Sequence, residues 1–95
     1  MDCKRVVFRG HAIQRMFERG ISRDDVLAVI AQGETLAGYA DNEPYPSRLL
    51  LGFADTKPLH VVLASDEAAG LCIVVTVYGP TLEHWSEDFR TRKTT

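Results

Sequence analysis

The apolar residues of this 95-residue chain change their spacing at Gly33. Before it they recur at the intervals of a helix face, and after it they alternate as in a strand. In the first part, Ala12 and Met16 are four apart, as are Ile13 and Phe17, which predicts one apolar stripe on a helix over His11–Arg19. His11, Arg15 and Arg19 repeat the same interval and share a neighbouring face. Gly20 ends this helix. Ser22 caps a second helix, Asp25 completes an acidic form of the capping box, and Ile21 and Val26 stand at the staple positions. Val26, Leu27, Val29 and Ile30 supply its buried side, and Gly33 stops it.

Strands are expected over Glu34–Tyr39, Arg48–Phe53, Leu59–Ala64 and Leu71–Tyr78, with turn chemistry between them. Connections this short make hairpins. The expected class is therefore α+β: two N-terminal helices packed on a four-stranded, mainly antiparallel sheet, as one domain over residues 1–95. Arg5–Arg9 is a candidate short opening strand, broken by Gly10.

Composition narrows the class further. With 45% hydrophobic and 25% charged residues the chain is globular rather than disordered. A domain this small has a modest core, so a partner is a candidate cover for part of its apolar surface. The longest apolar run, Leu71–Val75, is too short to span a membrane, and only three apolar residues precede Arg9. No signal peptide is expected, and the expected location is cytoplasmic. Cys3 and Cys72 form no C-x-x-C motif, and Cys72 reads as a buried inert thiol.

The net charge of −2 is unevenly spread: residues 1–23 carry +4, residues 24–89 carry −9 and residues 90–95 carry +3. If the two ends meet in space they form a positive patch on an acidic body; the alternative is two solvated segments that stay apart.

His11, His60 and His84 have no metal-ligand spacing, and neither a glycine-rich phosphate loop nor a G-x-S-x-G motif is present. No metal and no cofactor is expected. What remains is a set of imidazole, phenol and cationic groups. His60 lies opposite Leu59, Val61 and Leu63 on its strand, Thr76 and Tyr78 share a face opposite Val75 and Val77, and Arg90 and Arg92 follow in the tail. RNA cleavage without a metal needs such groups: a base for the 2′-hydroxyl proton, an acid for the leaving 5′-oxygen and cations for the phosphorane. The candidates are His11, His60 and Tyr78 for proton transfer and Arg15, Arg90 and Arg92 for phosphate. Each has a structural alternative. His11 is equally placed to cap its helix, Arg15 and Arg19 to pair with the acidic second helix, His60 to be a satisfied half-buried histidine, and Tyr78 to pack with a wet hydroxyl. Trp85 and Phe89 are candidates to cover one end of the core rather than to stack on bases.

An ordered set of residues resembles a known family. It comprises His11-Ala-Ile-Gln-Arg15-Met, Glu18-Arg-Gly-Ile-Ser22, Val26, Gly33-Glu34, Tyr39, Leu59-His60-Val-Val, Val75-Thr-Val-Tyr78-x-Pro80, Trp85 and Arg90-Thr-Arg92. It resembles the small bacterial domain-of-unknown-function family 4258 over nearly the whole chain. The family's common Ser or Thr before the His-Ala pair is Gly10 here, which removes that helix cap. The resemblance extends to RelE-like ribonuclease toxins, which pair N-terminal helices with a four-stranded antiparallel sheet and are often encoded beside an antitoxin. It implies a metal-independent endoribonuclease, with RNA (including ribosome-associated mRNA) and a small antitoxin-type protein as partners. His11, Arg15, His60, Tyr78, Arg90 and Arg92 match the recurrent polar positions. The competing expectation is a non-catalytic module that binds a protein or RNA; a small-molecule enzyme has no supporting cofactor motif.

Overall fold

A computed structural model describes residues 3–93. The order is β1 (Arg5–Phe8), α1 (Gly10–Arg19), α2 (Arg23–Gln32), β2 (Glu34–Tyr39), β3 (Ser47–Ala54), β4 (Lys57–Asp66) and β5 (Leu71–Tyr78). The α+β class with two helices holds, but the sheet has five strands rather than four, in the order β1-β5-β4-β3-β2. β2 to β5 form the expected antiparallel meander. The additional strand is the opening segment, which pairs parallel with β5 from Arg5↔Leu71 to Phe8↔Val74. A strand of four residues has little pattern of its own, and its partner lies at the far end of the chain.

That pairing also corrects the reading of Cys72. Carrying the chain start alongside β5 puts Cys3 beside Cys72, with Cα atoms 5.5 Å apart, and the two form a disulfide. Cys72 is buried as expected, but it is not a free thiol.

Arg9 is the N-cap of α1 and its side chain makes no cap bond, so neither Gly10 nor His11 caps the helix. Gly20 closes it in the left-handed conformation at φ 66°, where a side chain would be strained. The predicted stripe divides in two. Ala12 and Met16 are buried against the sheet, whereas Ile13 is 54% and Phe17 88% exposed. A helix resting on β5 touches it along a narrow line, and each residue onward turns about 100° away from that line.

α2 has its capping box: Ser22 Oγ accepts from the Asp25 amide at 3.0 Å and Asp25 Oδ2 accepts from the Ser22 amide at 3.3 Å. Val26 and Val29 are its buried residues. Gly52 on β3 lets α2 come close, because a Cβ there would lie 2.6 Å from Val29 Cγ2.

The helix-side core joins Ala12, Met16, Val26 and Val29 to Leu50, Leu59, Val61, Leu63, Cys72, Val74 and Val77. The β4–β5 register shifts after Val62↔Thr76 to Leu63↔Val74, which leaves Val75 as an extra residue. The bulge lets both Val74 and Val77 join this core. The opposite face carries His60 and Tyr78, a cross-strand pair. Residues 84–93 fold over part of that face. They close on themselves through the Trp85↔Arg92 bridge, Ser86 N to Thr91 O at 2.8 Å and Lys93 N to His84 O at 2.8 Å.

Candidate functional site

One row of cross-strand partners runs across the sheet: Glu34↔Leu51, Leu51↔His60 and His60↔Tyr78. The C-terminal segment is tied to this row at successive points. His60 is fully buried; its Nε2 lies 2.9 Å from the Phe89 carbonyl oxygen and its Nδ1 lies 3.1 Å from the Tyr78 hydroxyl. A carbonyl can only accept, so Nε2 carries the proton and Nδ1 accepts from Tyr78. Trp85 stands edge-on to the imidazole with ring centroids 4.4 Å apart. Burial holds the His60 imidazole below its ordinary range, against the opposing pull of the Phe89 carbonyl. The neutral ring is therefore an internal fastening with both nitrogens occupied.

Burial also pushes the Tyr78 hydroxyl up; Tyr39 adds to the shift and Arg92 opposes it. Tyr78 stays a phenol, and with its proton committed to His60 its oxygen is left to accept from a ligand.

Arg90 is held elsewhere. Its Nε lies 2.9 Å from Glu34 Oε2 and its Nη2 lies 3.0 Å from Glu34 Oε1, a two-point fork. Hydrogen bonding from Arg90 holds the Glu34 carboxyl below the usual range. Arg90 is thus already paired to a carboxylate at the β2 edge.

Arg92 lies with Tyr78 in a hollow of about 270 Å³. Arg19, His84 and Trp85 join them in its lining, along with Gly79, Pro80 and Thr81. No carboxylate lines this hollow among the described residues. His84 gets there by a turn, its amide and that of Trp85 both bonding to the Thr81 carbonyl. Arg92 gets there by the Trp85↔Arg92 bridge.

The structure therefore brings Tyr78 and Arg92 together, with His60 behind Tyr78, and leaves three predicted residues outside. Arg90 is paired with Glu34. His11 and Arg15 share the face of α1 that ends in Arg19, yet neither lines this hollow. A shared concavity for His11, Arg15, His60, Tyr78 and Arg90 is not what the fold builds: His60 is sealed in, and the β2 edge draws Arg90 away. Arg19 and His84 take places in the hollow that the sequence did not assign. The four-residue interval from His11 through Arg15 to Arg19 was the available signal for Arg19. His84 had none beyond its nearness to the basic tail.

A family model described as a domain of unknown function (DUF4258) matches residues 8–79. This chain belongs to the DUF4258 family. The DUF4258 match takes in His11, Arg15, Arg19, His60 and Tyr78 and ends at Gly79. His84, Trp85, Arg90 and Arg92 follow it, so the DUF4258 region supplies one wall of the hollow and the C-terminal segment the other. No curated protein and no solved structure matches the chain. No helix among the described residues is long and apolar enough to cross a membrane. No group of three or more His, Cys, Asp or Glu suited to a metal ion occurs among them.

Proposed function

We propose that this protein is a metal-independent endoribonuclease of RelE-like type, the toxin of a toxin–antitoxin pair, acting through the Arg19–Tyr78–His84–Arg92 hollow. The observation that carries this reading is the lining itself. Two guanidinium groups, an imidazole and a phenol meet without a carboxylate on an otherwise acidic chain. Such a lining attracts phosphate and offers a proton acceptor beside it.

On this reading His84 removes the 2′-hydroxyl proton, and Tyr78 oxygen accepts a hydrogen bond from the ribose and orients it. O2′ attacks phosphorus and the bond to the 5′-oxygen breaks. Arg19 and Arg92 stabilise the charged phosphorane, and solvent protonates the leaving oxygen. The products are a 2′,3′-cyclic phosphate and a 5′-hydroxyl. His60 is a positioning residue that acts through Tyr78. Eight residue steps along α1 take His11 to Arg19, a rise of about 12 Å, which suits His11 and Arg15 to neighbouring phosphates better than to the reacting one. RNA as substrate places the protein in the cytoplasm. Thiols are kept reduced there, and the backbone pairing of β1 with β5 would hold that edge without the disulfide.

Exposed Ile13 and Phe17 support an antitoxin-type partner. Two large apolar side chains, four apart on one helix, form an anchor for a second protein.

The test is cleavage of cellular RNA by the purified chain, with and without ribosomes. Wild type should cut in EDTA and leave cyclic phosphate ends. His84→Ala should lose roughly a hundred- to ten-thousand-fold in rate, whereas His11→Ala should lose less than about tenfold. RNA that stays whole under both conditions overturns the enzymatic reading in favour of a binding module.

A further inference from the structure

The cationic hollow has a larger neighbour. A depression of about 600 Å³ lies between the α1–α2 junction and the β3–β4 turn. Arg19, Gly79 and Pro80 line both, so the two adjoin, one half on each side of the wall that carries Arg19.

Their chemistry differs. The smaller half has Arg19 and Arg92 and no carboxylate. The larger has Ile21 and Leu59 as apolar wall, and its charged groups balance: Arg19 and Lys57 against Asp25 and Asp55. A phosphate is drawn to the first half and disfavoured by the second, whereas a neutral flat group with polar edges suits the second. A nucleotide has these two parts, joined by a ribose.

The edge of the larger half selects among bases. Asp55 and Lys57 flank Thr56 at the β3–β4 turn, where Ala54 pairs with Lys57 and Asp55 stands at φ 58°. One Asp25 oxygen already accepts from the Ser22 amide, which leaves Asp55 as the carboxylate without a helix-capping duty. An ionised carboxylate only accepts and an ammonium only donates. Guanine presents N1–H and an amino group side by side, with O6 next to them, so it matches the Asp55 and Lys57 pair. Uracil offers a single N–H between two carbonyl groups.

We infer that the larger depression is a guanine subsite for the nucleotide whose phosphate occupies the adjoining cationic hollow. This rests on the RNA reading above and adds the base next to the held phosphate.

The experiment follows amide and side-chain NMR shifts of the full chain at low salt, titrated separately with ribose 5-phosphate, UMP and GMP. All three ligands should shift the signals of His84 and Arg92. GMP alone should also shift Asp55 and Lys57, and should bind at least about fivefold tighter than UMP, the lower end of a two-point base contact. Asp55→Asn should erase the GMP advantage and leave ribose 5-phosphate within about twofold, since asparagine tolerates positive φ and keeps the turn. Equal binding of GMP and UMP alongside ribose 5-phosphate overturns the guanine subsite and leaves the phosphate site standing. Failure of ribose 5-phosphate to bind overturns both.

Discussion

On one face of the sheet, Ala12, Met16, Val26 and Val29 lie against Leu59, Val61, Leu63, Val74 and Val77. On the other, residues 84–93 are fastened through His60, Phe89 and the Glu34–Arg90 fork. The first closure is apolar burial, which needs matching surfaces and little direction. The second uses directed contacts: an imidazole between a carbonyl and a phenol, and a guanidinium forked onto a carboxylate. The difference bears on function, because the hollow draws its walls from both. Arg19 comes from a helix packed by burial, and His84 and Arg92 from a segment held by polar fastenings. Apolar packing gives the scaffold its stability, and the fastenings place the reactive side chains.

The largest effect on stability belongs to the apolar face. Leu63 is fully buried beneath the helices. Leu63→Ala should cost about 2–5 kcal/mol in a denaturant titration, through lost burial and the cavity left behind. The whole domain should unfold as a unit, without early release of the C-terminal segment. Trypsin cutting at Arg90 or Arg92 while the sheet stays folded would break the proposed division between the faces.

A smaller loss is expected at His60. His60→Leu leaves the Phe89 carbonyl without its ring partner and frees the Tyr78 hydroxyl. The cost should be about 1–3 kcal/mol, and here trypsin should reach Arg90, Arg92 and Lys93 before global unfolding. Acid should act on the wild type in the same way. The folded His60 pKa lies below the unfolded one, so the unfolded chain binds the extra proton as pH falls. The contribution is whole above the unfolded value, about 6.5, and is lost from there downward at no more than about 1.4 kcal/mol per pH unit. Thermal melts between pH 7.5 and 5.5 should show that decline in wild type and a flatter line in His60→Leu. Identical slopes would remove His60 as the sensitive group.

The Glu34–Arg90 fork should matter least. Both side chains are about half exposed, and exposed ion pairs contribute at most about 1 kcal/mol. Arg90→Ala should leave the melting temperature nearly unchanged and RNA cleavage within about threefold, because Arg90 is outside the cationic hollow. A loss on the scale of His84→Ala would return Arg90 to the phosphate-binding group.

Helix positions, the α2 capping box and the four hairpin-connected strands were legible because neighbours a few residues apart decide them. Ser22 and Asp25 satisfy each other across one turn, and the apolar runs of β3 and β4, buried on both faces at Leu49–Leu51 and Leu59–Val61, mark them as interior strands. The division of the α1 stripe was not legible, since which of two adjacent apolar rows meets β5 depends on where the helix is laid down. The same holds for β1. Its parallel register with β5, and with it the Cys3–Cys72 bond across 69 residues, joins segments that no local window contains.

The candidate site divides along this line. Its residue types follow from the sequence, but the cross-strand pairing of His60 with Tyr78 does not, because it depends on the bulge at Val75 that shifts the β4–β5 register by one residue. Tertiary structure decided which groups share a space. Arg19, Tyr78, His84 and Arg92 belong to a helix, a strand and a returning C-terminal segment, and no local window holds them together. Local sequence determines conformation through contacts within a turn or a hairpin. The company a side chain keeps is set by long-range burial and by the few polar fastenings that choose one packing over another.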